Sequence, residues 1–109
     1  MSANATFINC IRNLFLPLPD ISDGKFFGGF AFKSNGKQFA MIMGNTLYLC
    51  VNETSRPKYE TLGMVPFSYS TKKGVIKVRK YFSAPDDLFA DQEKLTSWAN
   101  EAIRAAYSS

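Results

Sequence analysis

The chain has 109 residues, 46% of them apolar and 15% aromatic, with a net charge of +4 and no histidine. That is enough for one domain with its own hydrophobic core, which excludes a disordered chain and removes the need for a metal or disulfide framework. The missing imidazole excludes Ser-His and Cys-His nucleophile pairs and the ordinary neutral-pH general base.

Phe7, Ile8, Ile11, Leu14 and Phe15 follow the spacing of an amphipathic helix, predicted over 4–16, with Asn4 or Thr6 as its cap. Pro17 and Pro19 end it, and Asp20 to Gly24 reads as a loop. From Phe26 the period changes to two. A strand over 26–34 puts Phe30 and Phe32 on one face, with Gly28-Gly29 permitting a bulge or close backbone packing inside it. Ser34-Asn35-Gly36 supplies a hairpin turn. The return strand, 37–43, places Phe39, Met41 and Met43 on one face and Ala40 and Ile42 on the other. After Gly44-Asn45-Thr46, a strand over 46–52 alternates Leu47, Leu49 and Val51 with Tyr48 and Cys50.

A short helix is predicted over 54–62, with Pro57 in its first turn and Gly63 as a left-handed stop. Strands over 66–72 and 75–82 form a second hairpin around Lys72-Lys73-Gly74. Lys80 falls on the apolar side of the last strand, which points to a bulge, a strand end or a snorkelling stem. The final helix, 91–107, has Asp91 as N-cap and a stripe of Leu95, Trp98, Ala99, Ala102, Ile103 and Ala106. The order α-β-β-β-α-β-β-α gives an α+β, two-layer domain whose mostly antiparallel five-stranded sheet packs on helices. The second sheet face would be open. If it carries Phe39 or Tyr48, it needs a cover, and a homodimer partner is the simplest one.

Little in the chain carries reaction chemistry. Asp86 and Asp87 are adjacent, so they do not converge on one face, and they read as a solvated turn. No glycine belongs to a dinucleotide or phosphate loop. Cys10 and Cys50 are too far apart to form a Cys-x-x-Cys pair and read as free thiols; no cofactor or metal is expected. Apolar runs end well short of the ~20 residues of a spanning helix, and the start shows no secretory signal, so the expected location is the cytoplasm, without membrane. The one charge cluster of interest is Lys72, Lys73, Lys77, Arg79 and Lys80, with Tyr81 available for stacking. Lysines on an edge strand also discourage sheet-to-sheet pairing, and +4 is low for a dedicated nucleic-acid binder. Edge protection is the favoured explanation.

Taken in order, several elements resemble the N-terminal domain of the TfoX (Sxy) family of DNA-transformation and competence regulators. They are Phe27-Gly28-Gly29-Phe30, Asn35-Gly36 with Phe39-Ala40, Leu47-Tyr48-Leu49, and Arg56-Pro57 with Tyr59 and Gly63. Pro66-Phe67 with Tyr69, Tyr81 with Pro85, and Leu95 with Trp98-Ala99 complete the set, which covers about residues 5–107. Two positions depart from the family pattern: Phe26 stands where Met is usual, and Cys50 where a charged residue is usual. The resemblance implies a two-layer α+β domain and a structural role for Phe27, Gly28, Gly29, Leu47, Tyr48, Leu49, Gly63 and Trp98. It also implies regulation of competence genes together with a cyclic-AMP-dependent transcription factor, and it brings no catalytic residues. Such regulators usually carry a C-terminal domain, which is expected to be absent from a chain ending at Ser109. The expectation is a non-enzymatic bacterial regulatory module that contacts transcription machinery. The alternative is direct nucleic-acid binding through the Lys72–Lys80 hairpin.

Overall fold

The computed structural model describes residues 5–18 and 20–108. The first helix, α1, spans Ala5–Leu14 and turns Ile11 inward. Phe15, one residue beyond it, is also fully buried. Pro17 follows where the helix ends; Asn4 and Pro19, assigned above as cap and breaker, lie outside the described residues. The strands are β1 (Ile21–Phe26), β2 (Gly29–Ser34), β3 (Lys37–Met43), β4 (Thr46–Cys50), β5 (Pro66–Thr71) and β6 (Gly74–Ser83). A short helix α2 (Arg56–Thr61) separates β4 from β5, and a 3₁₀ turn (Asp86–Ala90) leads into α3 (Gln92–Tyr107). All pairings are antiparallel, in the order β1-β2-β3-β4-β6-β5.

The sheet therefore has six strands where the sequence predicts five. The expected single strand over 26–34 is a hairpin, because Phe27 and Gly28 both take positive φ, 45° and 81°, and reverse the chain between Phe26 and Gly29. Ile21–Phe26, mostly expected as loop, is the edge strand; Ser22, Asp23, Gly24 and Lys25 have weak strand propensity, and backbone pairing to β2 overrides it. The bulge expected at Gly28-Gly29 is thus a turn. The close packing expected there does occur: a Cβ on Gly29 would run into the Ile42 carbonyl oxygen.

A second correction concerns Phe39. The β2–β3 register slips between Phe32 and Lys33, so Phe39 is an extra residue and turns inward beside Ala40. Met41 and Met43 keep the opposite face, as expected. The oddity at Lys80 marks a real irregularity: Phe67 pairs with Val78 but Pro66 pairs with Phe82. Beyond that slip, residues 81–83 of β6 pair with β4, and the Lys80 carbonyl accepts from the Val51 N–H at 2.7 Å.

One face of the sheet is closed by the helices. Phe15 meets Phe32 edge-on at 5.1 Å, and Trp98 meets Tyr59 at 4.9 Å. Leu47, Leu49, Phe82, Leu95, Ala99 and Ala102 fill the space between them. Each fully buried aromatic or aliphatic side chain is worth roughly 1.5–3 kcal/mol. The α3 stripe packs as its spacing predicts, and the Asp91 side chain accepts from the Lys94 N–H at 3.1 Å. At the end of α2, the Gly63 and Met64 N–H groups reach back to Glu60 and Tyr59, the paired bonds of a Schellman stop.

Two glycine substitutions check this register. Gly29→Ala should lower stability by about 1–3 kcal/mol, since β2 must move off β3. Gly24→Ala, with nothing within 4 Å of the new methyl, should change it by no more than about 0.5 kcal/mol. Thermal or urea unfolding measures both; equal effects would contradict the register.

Candidate functional site

The strand alternation that fills the core also dictates what the other face carries. Met41 stands opposite Tyr48, Met43 opposite Thr46, and Phe67 opposite Val78, all pointing away from the helices. These side chains line a cleft of about 830 Å³. Phe26 and Phe27 at the β1–β2 tip form one wall; Phe67, Tyr69 and Val78 on the β5–β6 arm form the other. Its volume lies in the range of ligand and peptide pockets, and its lining is chiefly aromatic and thioether. Tyr48 meets Phe67 edge-on at 5.3 Å, which braces the arm against the floor. The Tyr81 hydroxyl donates to the Gln38 carbonyl at 3.3 Å.

Burial sets the electrostatics of the floor. It pushes the Tyr81 phenol up to about 12, with the Cys50 thiol adding to the rise, and it raises Tyr48 as well. The Cys50 thiol is raised by burial, against a smaller opposite effect of Lys80. None of these groups is poised to ionise near neutrality. On the core side Tyr59 is also raised, chiefly by burial, and its hydroxyl is the buried side-chain polar atom without a partner among the described residues.

Phe27 is the most informative side chain of the cleft. It is 89% exposed and holds positive φ, a combination that gives a phenylalanine neither burial nor an easy backbone. The chain contains its own control. The β2–β3 turn, Asn35-Gly36, has φ of 51° and 82°, nearly the same geometry, and uses the residue pair that such turns favour. Left-handed backbone costs a non-glycine residue roughly 1–2 kcal/mol. The Phe26–Phe27 ring contact at 4.7 Å offsets part of that cost.

The basic hairpin residues are placed differently. Lys72 and Lys73 occupy the exposed tip of the arm. Lys77 lies on the face opposite Val78, and Arg79 reaches toward Glu60 of α2 at 3.8 Å, so both turn away from the cleft that holds Tyr81. Lys80 sits in the register slip. The structure does not bring this cluster together with Tyr81. Among the elements that carry the sequence resemblance, Leu47, Leu49 and Trp98 are core, Tyr48 is cleft floor, and Phe27 is exposed at the rim. Sequence reasoning singled out neither Met41, Met43 and Phe67 as site residues nor Phe27 as a surface anchor. The spacing of Phe27-Gly28 between two alternating stretches, matching Asn35-Gly36, was the available signal.

Asp87 is held by Lys94 at 2.6 Å, which lowers its carboxyl, and Asp91 caps α3. Cys10 is exposed and Cys50 buried, both unpaired with another cysteine. Among the described residues no cluster of His, Cys, Asp or Glu is placed to hold a metal ion, and no helix is long and apolar enough to cross a membrane.

Two measurements check this site. Phe27→Asn should hold or raise the melting temperature, because asparagine accepts the turn that phenylalanine strains; a marked fall would show that the ring supports the fold. The Tyr81 phenol binds its proton more tightly folded, about 12, than its ordinary 10.0. The folded state therefore holds more protons in that window, and stability should drop as pH rises from 10.0 toward 12. Denaturation midpoints unchanged across that interval would contradict the burial of this ring.

No curated protein matches this chain. The sequence model of one family, the TfoX N-terminal domain, matches residues 13–106, running from α1 through nearly all of α3. That match takes in both hairpin turns, the cleft and most of the core described above, Ile11 lying before it, and the chain belongs to the TfoX N-terminal domain family.

Proposed function

We propose that this domain is a non-enzymatic regulatory module of competence-gene expression, which acts by protein–protein contact with transcription machinery through the open face of its sheet. Family membership supports the competence-related regulatory role. The observation that carries the contact is the apolar cleft opposite the helices, with Phe27 held at its rim at a conformational cost. Exposed apolar surface gathered in one concavity marks interaction sites, whereas scattered exposed side chains do not. The basic arm residues stay outside that concavity, so nucleic-acid binding through Lys72–Lys80 draws no support from it.

The test is transcription of competence genes in cells lacking the native protein and complemented with variants. Phe27→Asn and Met43→Lys should each abolish most of the response while the purified proteins keep a cooperative melt. Met43 is only half-buried, so a lysine stem can reach solvent there. Full response from both variants would overturn the reading. Loss of response on charge reversal at Lys77 and Arg79 alone would transfer the role to the basic arm.

A further inference from the structure

The two layers of this protein differ in charge. Residues 21–51 and 66–83, the strands and their turns, hold eight of the thirteen Lys and Arg but only one of the nine Asp and Glu, Asp23. That carboxylate is already engaged by Arg12 of α1 at 2.9 Å. The other acids lie on the helices, the 3₁₀ turn and their connections, where Lys58 pairs with Glu101 and Lys94 with Asp87. The sheet is thus a positive layer with no acid free to balance it.

Part of this charge adjoins the cleft. A smaller notch of about 160 Å³ shares Phe26 with the main cleft and is lined by Lys25 and Lys33, together with Asp23. Lys33 turns to the open face with Ala31, whereas Lys25, opposite Phe30, contributes backbone and sends its side chain to the helix side; Lys33 is exposed and forms no ion pair within 4.0 Å among the described residues. An apolar trough therefore opens into a basic notch across the Phe26 ring.

We infer that this composite surface takes an acidic amphipathic segment of a partner protein, with apolar side chains in the cleft between Phe27 and Tyr69 and a carboxylate at Lys33 in the notch. The inference rests on the proposed protein-binding role and names the chemistry of the partner. A second copy of this chain fits poorly, because the open face of its sheet brings no carboxylate to meet Lys33: Asp23, the acid of the strands, turns to Arg12 on the helix side. Single-stranded nucleic acid fits less well too. The floor is Met41, Met43 and edge-to-face ring pairs, which present few hydrogen-bonding groups and little flat ring surface to a base. Methionine-rich troughs instead adapt to aliphatic and aromatic anchors.

The test uses labelled synthetic peptides of about fifteen residues with Leu and Phe at helical spacing, in acidic and basic versions, alongside a single-stranded DNA oligonucleotide, read by fluorescence anisotropy. The acidic peptide should bind at least about tenfold tighter than the basic one and weaken with salt. Phe27→Asn should weaken it about fivefold or more, the expectation for a rim aromatic anchor. Lys33→Glu should do the same, while Arg104→Glu, the same charge change on the helical layer, should alter it by less than about twofold. Equal binding of both peptides, still sensitive to Phe27→Asn, would overturn the acidic assignment and leave a protein-binding face. Binding of neither peptide would overturn the inference alone, since the competence response still decides the broader role. Tighter binding of the DNA, or a concentration-dependent dimer by light scattering that Phe27→Asn disperses, would overturn both.

Discussion

Each strand sends alternate side chains to opposite faces, and the helices close only one of those faces. Once Leu47, Leu49, Ala40 and Ile42 are committed to the core beneath α3, Tyr48, Met41 and Met43 have no choice but to face outward. A sheet that were merely solvated there would alternate with polar residues. This one alternates with thioethers and rings, and it adds a long arm, β5–β6, whose Phe67 and Tyr69 lean over them. The cleft is a direct consequence of one-sided burial in an apolar-rich chain.

The irregularities of the sheet shape that cleft. The bulge at Phe39 sends two consecutive residues inward, and it sharpens the twist of β3 near its start. The slip at Lys80 lets the far half of β6 leave β4 and pair with β5 alone, which carries the arm beyond the body of the sheet. The Phe27-Gly28 turn sets the opposite wall. Of these three features the Phe27-Gly28 turn holds a residue in backbone that it does not favour, and it stands at the rim of the open face. Local departures of this kind gather where a surface has work beyond folding.

Much of the fold was legible because the strongest signals are local. The α3 stripe, the Asp91 cap, the Gly63 stop and the Asn35-Gly36 turn each follow from a residue type with a definite conformational preference. The missed strand had no such signal: Ser22, Asp23, Gly24 and Lys25 are poor strand formers, and their pairing is imposed by β2. Phe39 was assigned to the wrong face because a one-residue bulge inverts alternation without a marker in composition. The open face was foreseen through Tyr48, but its lining was not, because it draws on five separate strands. The uneven charge was equally hidden, since +4 is a modest net value that conceals basic strands joined to acidic connections such as Asp86, Asp87 and Asp91.

Methionine methyl NMR offers the most direct test that the uncovered sheet face is the working surface. Met41 and Met43 line the cleft, whereas Met64, in the connection between α2 and β5, packs against the core and lines neither cavity. On titration with the acidic amphipathic peptide, the Met41 and Met43 methyl signals should shift together while Met64 stays in place. Shifts at Met64 with Met41 and Met43 unmoved would contradict the account.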